Sequence, residues 1–412
     1  MTNKFLADPM AQPRRCAGPL GAYLEGFEAL LDARGYARAT EKEQLQCVAD
    51  FSRWLERRRL AVGDVDERRG TEFVRAGRRR GRLGRGDGTT LRTLLAHLRH
   101  TGVIPPPRPA AAPTELSRVE QAFGVYLAQE RGLARATVIN YLPAVRRFLA
   151  ERFASGPLRL GDIRLVDVTR FVARHAHAFS PGRVQVMLTA LRSFFRFLRL
   201  QGETALDLAS SVLSVADWRL ARVPQGIPAA QVKQLLRHCD QQTPVGQRDY
   251  TILLLLARLG LRAGEVVGLT LDDLDWDAGE LVVRGKGGRQ DRLPLPSDVG
   301  KALATYLRRG RPPCGSRRVF LCMRAPRRGF TSSVAVCTLV RRALARAGLH
   351  PPSQGAHLLR HTLATEMLRR GASLAEIGEI LRHRHPDTTA IYAKVDLGAL
   401  RAVAPPWPGG AA

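Results

Sequence analysis

Five groups of residues able to do chemistry follow one another in the last part of the chain. They are Gly260-Leu-Arg262-Ala-Gly-Glu265, Gly285-Lys286-Gly287, His357-Leu-Leu-Arg360-His361, His383 and Tyr392. Breaking a phosphodiester requires a nucleophile, stabilisation of the extra charge on phosphorus, and a proton for the leaving oxygen. These residue types supply all three. A tyrosine hydroxyl can attack phosphorus and hold the broken bond as an ester. Two guanidinium groups, planar and always charged, suit the two non-bridging oxygens. A histidine accepts or donates protons near neutrality, and a lysine on a glycine-rich turn can reach a leaving oxygen.

Each group taken singly is ordinary. Arginines are abundant in this sequence, and a lone tyrosine on a helix is most often a packed or surface aromatic. His357 and His361 have the four-residue spacing of a zinc pair, yet a zincin needs Glu after the first histidine, and here that residue is Leu358. No Asp/Glu cluster of metal-binding spacing accompanies the five groups, so neither a metal nor a cofactor is expected.

The composition points to a polyanionic partner. In 412 residues there are 65 Lys+Arg against 37 Asp+Glu, a net charge of +28, more than solubility requires. Lysines are few (Lys4, Lys42, Lys233, Lys286, Lys301, Lys394), so the sign of the total carries more weight than any one arginine. A membrane surface is the rival polyanion. The longest apolar run, Ile252 to Ala257, falls far short of the ~20 residues that span a bilayer. Met1 to Arg15 lacks the apolar stretch of a secretory signal. The cysteines (Cys16, Cys47, Cys239, Cys314, Cys322, Cys337) form no CxxC pair. A reduced, cytoplasmic protein is the expectation.

Two proline-rich breaks, Ile104 to Pro113 and Arg222 to Pro228, divide the chain into three parts. The expected divisions are a tail (1–18), a first bundle (19–104), a linker (105–114), a second bundle (115–208), a linker (209–226), a catalytic part (227–404) and a tail (405–412). The first two parts repeat each other. Gly35-Tyr-Ala-Arg-Ala-Thr40 returns as Gly132-Leu-Ala-Arg-Ala-Thr137, and at the same offset Leu45, Val48 and Phe51 fall on Leu142, Val145 and Phe148. Gly63-Asp64-Val65 then matches Gly161-Asp162-Ile163.

Within the second copy Thr137 reads as a helix cap, followed by an apolar face of Tyr141, Val145, Phe148 and Leu149. Val186, Leu188, Leu191, Phe194, Phe195 and Leu198 make another face. The run Phe194-Phe195-Phe197 could be a platform for stacking bases, but its helical spacing favours core packing. Each copy therefore reads as a bundle of about four helices. Arg78 to Gly88 in the first copy, five arginines among glycines, reads as a basic loop.

The third part is helical over Ala229–Cys239 and Arg248–Leu259, then forms a hairpin from Glu280–Arg284 and Asp291–Leu295. Helical patterns return over Val334–Ala347, His357–Gly371 and Leu374–His383. The expected fold class is mainly α: tandem helical bundles, then an α+β catalytic domain, mostly helical with one small hairpin.

The five groups in this order resemble the catalytic domain of the tyrosine recombinase (phage integrase) family. They resemble its Gly-Leu-Arg-x-x-Glu, Gly-Lys-Gly, His-x-x-Arg-His and Gly-His-x8-Tyr motifs. The resemblance covers roughly 227–400 and extends to 115–205, whose helices resemble the family's SAM-like core-binding domain. It implies Tyr392 as nucleophile, Arg262 and Arg360 as a phosphate clamp, and His357 assisting the tyrosine. Lys286 becomes the general acid, His383 a hydrogen bond to the phosphate, and Glu265 the group that orients Arg262. His361 and His385 are left structural or auxiliary.

The implied activity is site-specific recombination, integration or transposition, cleaving and rejoining duplex DNA through a 3′-phosphotyrosine without metal or cofactor. The implied assembly is a C-shaped clamp on double-stranded DNA and a homotetramer on two sites, with accessory proteins as further partners. The alternatives are a type IB-like topoisomerase or a catalytically inactive DNA-binding protein on the same scaffold. One residue departs from the pattern. Arg382 stands where the family has Gly, and it is expected to be accommodated by a wider turn or by pointing at DNA.

Overall fold

The computed structural model describes residues 18–79, 86–107, 114–154, 156–212, 223–285 and 288–395. Lys286 and residues 80–85 of the expected basic loop lie outside the described residues, as does everything after Val395; Arg78, Arg79, Asp87 and Gly88, expected in that loop, belong to helices instead. The chain forms two compact units, one made of 1–107 with 223–412 and the other of 108–222.

The first bundle comprises α1 (Leu24–Ala33), α2 (Arg38–Arg57), α3 (Glu67–Arg79) and α4 (Asp87–His100). Phe27, Phe51, Leu55, Leu94 and Leu98 fill its core, and the Phe51 ring lies 5.1 Å from Phe73. The second bundle comprises α5 (Glu115–Val125), α6 (Arg135–Arg152), α7 (Leu165–Ala176) and α8 (Pro181–Leu200). The repeated Gly-x-Ala-Arg-Ala-Thr motif has a physical basis. Gly35 (φ 72°) and Gly132 (φ 58°) both occupy the left-handed region that ends one helix and turns the chain into the next. Gly63-Asp64-Val65 and Gly161-Asp162-Ile163 both close 3₁₀ turns and bury the last residue.

Two local expectations are corrected. The cap of α6 is Ala134, so Thr137 lies inside the first turn rather than capping it. Val186 faces solvent, because α8 buries Met187, Leu188 and Leu191 instead. Phe194, Phe195 and Phe197 are all core residues.

The third part is built around α10 (Pro244–Arg258), whose Ile252 to Leu256 are wholly buried. Thr243 starts it by accepting a hydrogen bond from the Gly246 amide, with Pro244 at the first helical position. Against α10 pack α9 (Ala229–Arg237), the short α11 (Ala263–Gly268), α12 (Ser297–Thr305), α13 (Ser333–Arg346) and α14 (His357–Arg369). A three-stranded antiparallel sheet, in order β1 (Leu274–Asp275), β2 (Glu280–Arg284) and β3 (Gln290–Pro294), sets Val282 opposite Arg292.

The last described elements are α15 (Leu374–Ile380), α16 (Asp387–Ala390) and a 3₁₀ turn, Ile391–Val395. Ser373 and Glu376 cap α15 reciprocally, the Ser373 amide donating to the Glu376 carboxylate and the Glu376 amide to Ser373 Oγ. The helix expected to reach His383 stops at Ile380. Arg382 adopts φ 54° and reverses the chain there, while the His383 amide donates to the Gly378 carbonyl at 2.9 Å. A non-glycine residue in that conformation costs roughly 1–2 kcal/mol. Within the same unit, the Arg327 amide donates to the Arg34 carbonyl of the first bundle at 2.9 Å.

Candidate active site

The end of α10, the start of α14 and the turn after α15 converge. Gly260 follows α10 at φ 56°. A Cβ there would lie 2.7 Å from Leu381 Cδ2, so both backbone and space require glycine. Arg360, one turn into α14, is buried and ties the three elements together. One of its terminal nitrogens donates to the Gly260 carbonyl and the other to the Leu381 carbonyl. Burial, then the nearby guanidinium groups of Arg262 and Arg382, push Arg360 down to about 10.

Arg262 precedes α11 in extended conformation. Its amide donates to Glu265 Oε2 at 2.8 Å and its Nη1 to Oε1 at 2.8 Å. Its Nη2 makes a longer contact, 3.4 Å, with the Arg382 carbonyl. The Glu265 side chain is only 4 % exposed, against 38 % for Arg262. Burial alone would raise the Glu265 carboxyl. The Arg262 amide, the Arg382 charge and the Arg262 side chain outweigh it and hold the group below the usual carboxylate range.

The histidines and the tyrosine lie beside these arginines. His361 Nδ1 and Tyr392 Oη are 2.8 Å apart, and the His357 and His361 rings are 6.3 Å apart on successive turns of α14. His383 Nδ1 lies 2.6 Å from Thr389 Oγ1. Loss of water and the charges of Arg360 and Arg262 drive His383 down to about 4, with His361 and Arg382 adding to the effect. His357 and His361 are lowered too, both chiefly by burial; Arg360 and Arg262 add to it at His357, and His357 and Arg360 at His361. All three imidazoles are therefore neutral at pH 7. Tyr392 is 1 % exposed and packs against Ala364, Ile377 and Leu381. Burial pushes its hydroxyl up to about 12, although Arg360 pulls the other way.

A cavity of about 810 Å³ opens beside this cluster. Arg289, Arg292, Arg382, His383, Arg384 and His385 line it together with the carboxylates of Asp291, Glu379 and Asp387. Among the described residues no group of three or more His, Cys, Asp and Glu is placed to hold a metal ion.

Residues 225–397 match the phage integrase family, and 121–202 match its N-terminal SAM-like domain. Across 98 % of its length the chain is 45 % identical to "Putative integrase/recombinase y4rA" of Sinorhizobium fredii (strain NBRC 101917 / NGR234), covering 98 % of that protein. The chain belongs to the tyrosine recombinase (phage integrase) family. It is also 32 % identical to the tyrosine recombinase XerD of Mycobacterium tuberculosis, over 70 % of this chain and 96 % of XerD.

Two solved structures share the recombinase fold at 19 % identity. The XerH site-specific recombinase bound to a palindromic difH substrate aligns with TM-score 0.56 over 72 % of this chain and 97 % of its own. The Tn1549 transposon integrase in complex with circular intermediate DNA aligns with TM-score 0.51 over 69 % and 98 %. Among the described residues of this recombinase, no helix is long and apolar enough to cross a membrane.

The recombinase fold brings Arg262, Glu265, His357, Arg360, His383 and Tyr392 into one neighbourhood. Lys286 lies outside the described residues, and His385 is exposed on the cavity rim. Two participants escaped the sequence reading. His361, set aside as auxiliary, holds the Tyr392 hydroxyl; its signal was its place one turn after His357 on the same helix. Arg382, expected in a wider turn or facing DNA, instead turns inward to Glu265, with Nη2 to Oε2 at 2.9 Å.

Proposed function

We propose that this recombinase cleaves and rejoins duplex DNA through a 3′-phosphotyrosine at Tyr392, without a metal ion. The observation that carries the reading is the hydrogen bond between Tyr392 Oη and His361 Nδ1 in a pocket reached by the Arg360 charge. Tyr392 Oη attacks phosphorus, the bond to the 5′ oxygen breaks, and the tyrosine proton passes to a neighbouring neutral imidazole. Lys286 gives the 5′ oxygen its proton. One phosphodiester becomes another ester, so rejoining by a 5′ hydroxyl needs no outside energy.

Arg262 and Arg360 neutralise the non-bridging oxygens, whose charge grows at the transition state. His357 assists the tyrosine and His383 donates to the phosphate, a role its neutral imidazole can fill from the nitrogen not engaged by Thr389. Tyr392 is buried and its hydroxyl hard to ionise before DNA arrives, so seating of the phosphate must accompany its release. The net charge of +28 favours the duplex at long range. Exchange between two sites breaks four strands and needs four tyrosines, hence a homotetramer.

Cleavage is tested in EDTA on nicked duplexes selected from DNA flanking the gene, and the reading expects full activity there. A Lys286→Ala variant should be slow on ordinary DNA and recover most of the rate on a 5′-bridging phosphorothiolate, whose sulfur leaves without a proton. A divalent-ion requirement in the cleavage step, or no recovery by the sulfur substrate, contradicts the corresponding assignment.

A further inference from the structure

Arg382 occupies the position that the family's motif gives to glycine, and it keeps the left-handed backbone (φ 54°) that glycine would adopt freely. The turn itself does not need a guanidinium. Yet the side chain is buried, 5 % exposed, against a Glu265 side chain that is 4 % exposed. Its Nη2 donates to Glu265 Oε2 at 2.9 Å and its Nη1 to the Ile380 carbonyl at 3.1 Å. Its Nε is buried without a partner. A buried charge in an unfavourable backbone conformation costs stability unless its neighbours offset it.

Glu265 is divided between its partners. Oε1 takes the Arg262 side chain, while Oε2 takes both the Arg262 amide and Arg382. A carboxylate free to rotate prefers the bidentate fork with a guanidinium. Here Arg382 shares the second oxygen with the Arg262 amide, so Glu265 grips the Arg262 side chain through Nη1 alone. The other terminal nitrogen, Nη2, keeps only the 3.4 Å contact to the Arg382 carbonyl.

We propose that Arg382 is a positioning residue that competes with Arg262 for Glu265, preventing a closed Arg262–Glu265 fork and leaving Arg262 Nη2 available to a phosphate oxygen. The inference rests on the phosphate site proposed above. Removing the Arg382 guanidinium lets Glu265 close on Arg262 and draws that group away from the anion.

The test compares Arg382→Gly, Arg382→Met and Arg382→Lys in the full chain. Gly suits the backbone conformation, and the histidine NMR spectrum of each DNA-free variant shows that it is folded. Cleavage at saturating nicked DNA should fall about 10-fold or more in the Gly and Met variants, with little change in DNA affinity. The Lys variant, which keeps a cation for Glu265, should stay within about 3-fold of wild type. Inorganic phosphate, titrated into DNA-free protein and followed by NMR of the His383 ring, gives a readout independent of activity. His383 faces Arg360, Arg262, His361 and Arg382, so a bound anion moves its signals. Phosphate should bind several-fold more weakly to the Gly and Met variants than to wild type or Lys. If wild type cleaved no DNA, the proposed function would fall while the phosphate comparison still decided this point. Wild-type rates and phosphate affinity in the Gly and Met variants, or a Lys variant as impaired as Gly, would overturn the proposal.

Discussion

Tyr392 Oη sits 2.8 Å from His361 Nδ1, with the tyrosine ring buried against Ala364, Ile377 and Leu381. The hydroxyl proposed to attack phosphorus is thus held, satisfied and out of water. Replacing His361 by Leu leaves it buried without a partner, which costs about 1–3 kcal/mol. Urea unfolding of His361→Leu should show that loss. Cleavage at saturating DNA should fall further than DNA affinity does. Equal stability and equal rate would reduce the contact to a neighbour without consequence.

Gly260 is the second point of leverage. Its φ of 56° disfavours any side chain, and a Cβ would lie 2.7 Å from Leu381 Cδ2. Its carbonyl is also an acceptor for Arg360. Gly260→Ala should lower stability by about 1–3 kcal/mol and slow cleavage, because the Arg360 anchor moves with the backbone. Calorimetry and the nicked-substrate assay on one preparation check both. An alanine variant with wild-type melting and rate would show that the turn is slack.

The three neutral imidazoles set a pH dependence. In the folded protein His357, His361 and His383 bind protons less readily than in the unfolded chain, His383 most, at about 4. Between that value and the ordinary histidine range near 6.5, the unfolded state holds more protons. Stability is therefore present above about pH 6.5 and is lost as pH falls toward 4. Melting temperatures of the DNA-free protein should drop through that window, and His383→Asn should flatten the slope. A melting temperature independent of pH between 7 and 4.5 would refute the burial of these groups. Bound phosphate opposes the effect, so the slope should be smaller with DNA present.

What was legible in the sequence follows from where the physics is local. Arg262, Arg360 and Tyr392 stand in motifs with fixed spacing, and the duplicated bundles repeat a glycine whose left-handed backbone ends one helix and begins another. β1, only two residues long, and α11, six residues long, are too short to show a period. Thr137 reads as a cap by residue type, yet the helix begins at Arg135 because the preceding glycine turn fixes its start. The inward turn of Arg382 depends on Glu265, a partner 117 residues away. Local sequence holds no trace of such a pairing.

The central claim is that Tyr392 forms the covalent bond to DNA. Wild type and Tyr392→Phe are each incubated with a duplex nicked beside the cleavage point, so that the short fragment diffuses away and the reaction cannot reverse. The protein is then digested and the nucleotide-bearing peptide identified by mass spectrometry. A 3′-phosphodiester on the peptide containing Tyr392, with no adduct and near-normal DNA binding in the Phe variant, is the expected result. An adduct on another residue, or one that persists in Tyr392→Phe, would contradict the account.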